Sequence, residues 1–306
     1  MHVPNSMLSG SICPVTAAVS TLSLAGAVVA AIKIKTRPAI GRFAAVTALI
    51  FAIQMLNFPV ANGTSGHLLG GVLAAAMLGT PFGMLSMALV VSVQALFFAD
   101  GGLAVLGANL LNMSVIGAGL GGLLYQFISA RIKQKHAAIG AAAAAAWLSV
   151  VIAAGAVCIE LAVSGTIAIS KSLPAMLSVH ALIGIGEAVI TGAALYLFGR
   201  SVETEKSFAF KVVAPTITAL ICALAISPFA SSSPDGLEYV AQKLSFLKES
   251  APSFVSPFPD YLIPAIGESS ISTGLAGLTG VVICVVLAMA LSSLIAIGNK
   301  MTHQSN

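Results

Sequence analysis

Charge is what this sequence lacks. Of its 306 residues only 8% are Asp, Glu, Lys or Arg, while 58% are hydrophobic. A soluble domain carries about 25% charged residues. This chain has too few to coat a surface in water, so a bilayer must solvate most of it. A net charge of +4 without a basic patch argues against nucleic-acid binding. The four cysteines, Cys13, Cys158, Cys222 and Cys284, are scattered in or beside apolar runs with no C-x-x-C pair. Neither a zinc site nor a disulfide framework is indicated, and they read as small buried hydrophobes. No G-x-x-x-x-G-K-[ST], H-E-x-x-H or G-x-S-x-G occurs. Nucleotide hydrolysis, intramembrane metalloprotease chemistry and serine hydrolysis by the chain itself therefore have no motif support. Residues 1–12 contain no Lys or Arg, so no secretory leader is read. The chain is expected to start at its mature end and to keep Met1, because the bulky His2 hinders its removal.

What the chain does have is apolar runs. Nine stand at about 13–32, 43–58, 67–79, 81–98, 103–130, 137–162, 174–199, 211–229 and 270–298. A bilayer core takes roughly 20 apolar residues per span, and in lipid such spans are helices, whose backbone groups pair internally. The fold class expected is an all-α polytopic bundle of about nine transmembrane helices. The third run is short, so it reads as a broken or recessed helix starting in the Gly63–Gly66 loop. Small residues in 117–122 and 137–146 suit close helix packing. The one sizeable polar insertion, 230–269, divides a seven-helix block (1–200) from a two-helix block (201–306).

Basic residues set the orientation. Lys33, Lys35, Arg37 and Arg42 follow the first span, and Arg131, Lys133 and Lys135 follow the fifth. Arg200, Lys206 and Lys211 lie between the seventh and eighth, and Lys300 follows the ninth. All four clusters face the cytoplasm if the third run counts as a crossing. The C-terminus is then cytoplasmic. The N-terminus lies outside, with loop 59–67, the turn at Asp100, segment 163–173 and loop 230–269. That last loop carries Asp235, Glu238, Glu249, Asp260 and Glu268 against Lys243 and Lys248.

The first two residues carry metal chemistry. The amine of Met1, the backbone nitrogen of His2 and the His2 ring Nδ1 close adjacent five- and six-membered chelate rings around one ion. Using the backbone nitrogen requires its deprotonation, which mainly Ni(II) and Cu(II) drive, with Co(II) behind. Pro4 stiffens the exit from the chelate. A fourth donor is needed, and His67 is the best candidate, on the same outer side and preceded by small residues that let an ion approach. Read singly, His2 is a solvated terminal residue and His67 an interfacial one. Asn57, Asp100, Asn109 and Asn112 fall near outer helix ends and are expected to orient His67 or the terminal segment, or else to cap and glue helices. His180 and Glu187, seven apart on one helix, read as a polar pair, a deeper relay or packing contacts. Gln54, Gln94 and Glu160 are weaker candidates.

Five motifs then make the first 200 residues recognisable. They are Met1-His2-Val3-Pro4, Gln54-Met55-Leu56-Asn57-Phe58-Pro59-Val60, Gly63-Thr64-Ser65-Gly66-His67-Leu68-Leu69-Gly70-Gly71, the Val93–Gly102 run ending in Asp100-Gly101-Gly102, and Gly107-Ala108-Asn109-Leu110-Leu111-Asn112-Met113. They resemble the cobalt/nickel substrate-capture subunit of energy-coupling-factor transporters, the CbiM/NikM family, as does His180–Ala188. The second block, with Ser233-Pro234-Asp235-Gly236-Leu237-Glu238 and Ser256-Pro257-Phe258-Pro259-Asp260-Tyr261, looks like the PDGLE-type, NikN-like accessory module, fused here. Asn5 departs from the family's usual Pro-Asp-Gly after the histidine, a change expected to bear only on how the terminal loop is fixed.

The resemblance implies a non-enzymatic membrane subunit in the cytoplasmic membrane of a prokaryote. It would work with a transmembrane coupling subunit and two cytoplasmic ATPases to import Ni(II) or Co(II). It implies metal ligation by Met1, His2 and His67; Asn57, Thr64, Ser65, Asp100, Asn109 and Asn112 are expected to lie around them. The competing reading is an ion-coupled secondary metal transporter with His180 and Glu187 as a proton relay.

Overall fold

The computed structural model of the chain describes residues 1–61, 63–132, 137–199, 208–247 and 254–304. Lys133, Lys135, Arg200, Lys206, Lys248 and Glu249 lie outside the described residues, as does the expected block boundary at 200/201. The helices are α1 (Ile12–Lys33), α2 (Ile40–Gln54), α3 (Gly71–Leu78), α4 (Thr80–Phe97) and α5 (Leu106–Ser129), followed by α6 (Ala137–Val163), α7 (Ile169–Phe198), α8 (Phe210–Phe229), α9 (Gly236–Lys243) and α10 (Ser270–Gln304). Seven of these, α1, α4, α5, α6, α7, α8 and α10, are long and apolar enough to cross a membrane. The chain is a multi-pass helical bundle.

The two short apolar helices sit inside it. From Arg42 to Gln54 every residue of α2 is buried, as expected of a helix that is apolar all round and packed on every side. Every residue of α3 is buried too. Gly70 (φ 76) precedes α3 and Gly79 (φ 85) ends it, left-handed conformations that glycine adopts without a Cβ penalty. Eight residues rise only about 12 Å, so the third run is a recessed helix entered through a non-helical stretch at 68–70. His67 and Asp100, which flank the α3–α4 hairpin, both meet His2. Both limbs therefore open at the same end of the bundle. A Cβ on Gly71 would collide with the Gly117 carbonyl carbon, so glycine here lets α3 pass α5 backbone to backbone. At that crossing α5 is wound wider than an α-helix, from Leu110 to Leu120.

α2 stops at Gln54, four residues before the expected end of its run. The chain turns instead into a short antiparallel hairpin that pairs Phe58 with Gly66 and Pro59 with Ser65. Pro59 has no N–H to continue a helical ladder. Arg42, read with the exposed basic cluster, is 2% exposed, and its Nε donates to Met77 O at 3.1 Å. It satisfies a carbonyl that the end of α3 leaves open.

The non-helical segments gather at one end of the bundle. Ser9 N donates to Ser164 Oγ (2.7 Å), Thr166 Oγ1 to Met7 O (2.6 Å), and Ser231 N to Asn57 O (2.8 Å). The described parts of segment 230–269 are folded onto this end. They contain the amphipathic helix α9, and Phe258 N and Asp260 N donate to the carbonyls of Phe97 (2.9 Å) and Phe98 (3.0 Å). α1, α5 and α10 all start here and run away, which carries Lys33, Arg131 and Lys300 to the opposite end.

Candidate metal centre

The first residues are docked into the gathered end. Val3 is fully buried, and a buried peptide group needs partners. Asn109 supplies them, accepting from Val3 N at 2.8 Å and donating to Val3 O at 3.0 Å. Gly102 N adds a second bond to Val3 O at 3.0 Å. Asn5 still fixes the terminal loop, since its Oδ1 accepts from Ala104 N at 2.9 Å.

His67 is held from the other side. Its Nδ1 lies 3.0 Å from Leu68 O. A carbonyl only accepts, so Nδ1 carries the proton and Nε2 keeps its lone pair. The backbone just beyond is pinned by Glu187, whose carboxylate accepts from Leu69 N (2.5 Å) and Gly70 N (2.8 Å), two donors left open at the start of α3. Gln54 Nε2 donates to Leu69 O at 2.6 Å.

The Met1 amine meets His67 Nε2 directly. The His2 and His67 rings stack, with centroids 5.1 Å apart and planes 18° apart. His2 Nδ1 lies 3.0 Å from Asp100 Oδ1, and its Nε2 lies 3.1 Å from Gln94 Oε1. The ring nitrogen expected to chelate is thus engaged by a carboxylate. Among the described residues no three His, Cys, Asp or Glu side chains form a ready ion cage. The set assembled here draws on main-chain nitrogen instead.

Two carboxylates flank these nitrogens. Asp235 is the N-cap of α9. Its Oδ1 accepts from Glu238 N at 2.8 Å, an arrangement favoured at helix starts, while its Oδ2 lies 3.1 Å from the Met1 amine. Burial alone would raise the Asp235 carboxyl, but the amine and His67 outweigh it and hold it down at about 2. Burial likewise opposes ionisation of Asp100. The charge of His2 and its hydrogen bond prevail and keep this carboxyl below the usual carboxylate range. Asp100 Oδ2 also accepts from Tyr261 Oη at 2.6 Å. Three non-glycine residues at this corner, Ala99, Asp260 and Tyr261, have positive φ, a sparsely populated conformation that persists where surrounding contacts impose it. His67, buried and beside the amine and His2, is pushed down to about 3, which the two carboxylates only partly offset. His67 is thus a neutral imidazole, and the two ionised carboxylates face the Met1 amine and His2.

The remaining expected residues scatter. Asn57 reaches the centre's surroundings through its carbonyl, which receives Ser231 N. Thr64 is buried, with Oγ1 unpartnered among the described residues. Ser65 does not touch His67: its Oγ donates to Ser233 O (2.7 Å), and its N donates to Pro234 O (2.9 Å). Asn112 faces away and donates to Glu160 Oε2 at 2.9 Å. His180 and Glu187 do not pair with each other. His180 Nδ1 bonds Met176 O at 2.9 Å, whereas Glu187 caps α3, because seven residues along a helix separate them by about 10 Å. Asp235 and Tyr261 were missed as site residues. The signal for Asp235 was the Asp-x-x-Glu spacing of 235–238, which marks a helix start. Gln94, a weak candidate, faces His2.

Comparison with known proteins identifies the family of the chain. Residues 2–205 match the family described as the cobalt uptake substrate-specific transmembrane region, and residues 210–297 match the PDGLE domain. A protein named as a fused nickel transport protein, from Archaeoglobus fulgidus, is 33% identical over 300 residues, covering 95% of this chain and 98% of the relative. One named as a cobalt transport protein, from Halobacterium salinarum, is 27% identical over 155 residues, covering 49% of this chain and 69% of the relative. The crystal structure of a truncated transition metal transporter superposes with a TM-score of 0.57 at 31% identity, covering 64% of this chain and 97% of that one.

Proposed function

We propose that this chain, which belongs to the cobalt uptake substrate-specific transmembrane family, is the membrane subunit that captures Ni(II) or Co(II) for an ATP-driven importer. Residues 1–200 are its capture domain, and 201–306 are a PDGLE accessory domain. The N-terminus faces outward and the C-terminus the cytoplasm, in the cytoplasmic membrane. A coupling subunit and two ATPases supply the energy. The ion is held by the Met1 amine, the backbone and ring nitrogens of His2, and His67 Nε2. The observation that carries this reading is the meeting of the terminal amine with His67 Nε2 under a stacked His2 ring. On loading, the amine, the His2 amide and His2 Nδ1 each release a proton to solvent and bind the ion in place of their contacts to Asp235 and Asp100. Both carboxylates stay close enough to balance its charge.

The secondary-transporter reading gains nothing from α7, where Glu187 is committed to the backbone of 69–70. The decisive experiment adds one residue before Met1, which turns the amine into an amide. Metal binding by the purified protein, read by titration and absorption, is expected to be abolished, and His67→Ala should weaken it severely. Full binding by the extended protein would refute the mechanism.

A further inference from the structure

Two spaces meet at this centre. The outer one is a vestibule of about 560 Å³ lined by His2, Asp100, Glu238 and Asp260 among others. The second is a small cavity of about 10 Å³, lined by Met1, Val150, His180 and Gly236. That is about the space one water-sized atom needs. His67 and Asp235 line both spaces, His2 lines only the vestibule, and His180 lines only the cavity. The donors therefore stand in series, from His2 through His67 and Asp235 to His180.

His180 is held as His67 is held. Its Nδ1 lies 2.9 Å from a carbonyl, Met176 O, so Nδ1 carries the proton and Nε2 keeps the lone pair. That tautomer is set by the same backbone-carbonyl contact that orients metal-ligating histidines. His180 is 1% exposed, and its Nε2 has no hydrogen-bond partner among the described residues. Buried polar atoms are nearly always paired, and an exception calls for an explanation. The PDGLE segment covers the ring. A Cβ on Gly236 would lie 2.9 Å from His180 Cε1 and 3.1 Å from Nε2, so only a glycine lets the main chain lie there.

We propose that His180 Nε2 is a second, inner station that receives the divalent ion from His67, with Asp235 accompanying it. This rests on the capture reading above. The side chains do not form a ready three-donor cage, so the ion is held loosely there. Loose holding suits passage, which requires sites that bind well enough to fill and weakly enough to empty. His180 lies about 16 Å along α7 from Ile169, well within the bundle.

The test compares His180→Gln and His180→Cys in the full chain. Ni(II) titration with absorption spectroscopy reads capture, and uptake of radioactive nickel by cells expressing the chain with its native neighbouring genes reads passage. His180→Gln should bind one ion with unchanged affinity and spectrum yet slow uptake at least tenfold. His180→Cys, which restores a ligand without the imidazole shape, should recover at least threefold over the glutamine variant. Wild-type uptake by His180→Gln overturns the proposal. So does equal failure of both variants, which would make the ring a matter of shape, and so does loss of binding together with uptake, which would place His180 in the capturing set. If the unmodified chain binds no metal, the capture reading fails first, before any variant is made.

Discussion

Asn109→Ala removes the clamp on residue 3. Asn109 makes two hydrogen bonds to the Val3 backbone, at 2.8 and 3.0 Å. The alanine variant leaves Val3 N buried with no acceptor, while Val3 O keeps Gly102 N. An orphaned buried donor costs about 1–3 kcal/mol. Residues 1–8 contain no helix, so the terminal segment detaches more readily once the clamp is lost. In the proposed capture mode the ion binds only when the amine and His2 are docked, so the cost appears in affinity. At 1.4 kcal/mol per decade this is a loss of roughly 5- to 150-fold in Ni(II) affinity, measured by titration calorimetry on purified protein. Asn109→Asp keeps the acceptor for Val3 N but loses the donor to Val3 O, so its loss should be smaller than that of the alanine variant. Affinity of Asn109→Ala within twofold of wild type would refute the idea that this clamp positions the grip.

Glu187→Ala should leave Leu69 N and Gly70 N without their acceptor, costing roughly 2 kcal/mol or more and lowering the melting temperature, with Glu187→Gln intermediate. An unchanged melting temperature would show that α3 does not depend on this cap. The His67 ring, depressed to about 3, binds fewer protons folded than unfolded, where its value is about 6.5. Its contribution to stability is therefore complete above about pH 6.5 and drains away as pH falls toward 3. The metal-free protein should melt at lower temperature at pH 5 than at pH 7, and His67→Gln should flatten that difference. Equal pH slopes in both proteins would contradict the buried neutral imidazole.

How much was legible beforehand depended on how far apart the partners lie in the chain. In the proposed grip Met1 and His2 would chelate through adjacent atoms, so that proposal could be framed from two letters. Nine apolar runs mark nine helices, and the shortness of the third foretold a recessed helix, because length in residues converts directly to depth in a bilayer. Asn109 was readable as an orienting residue by its place at an outer helix end, though not what it would hold. His180 and Glu187 share a helix face by spacing, yet that spacing hid their division of labour.

Helical periodicity and covalent adjacency are local, and sequence alone determined the membrane class and the apolar segments and placed an amine, an amide and an imidazole nitrogen side by side at the start. Only the tertiary structure decided that Asp235 joins the centre, that Asp100 rather than an ion-facing pose engages His2 Nδ1, and that Ser65 serves the PDGLE segment instead of His67. Each of these pairs joins residues from separate segments of the chain. Which carboxylate reaches a buried amine depends on how α9 docks onto the capture helices, and docking is set by packing among all of them, as where the Gly236 main chain lies against His180.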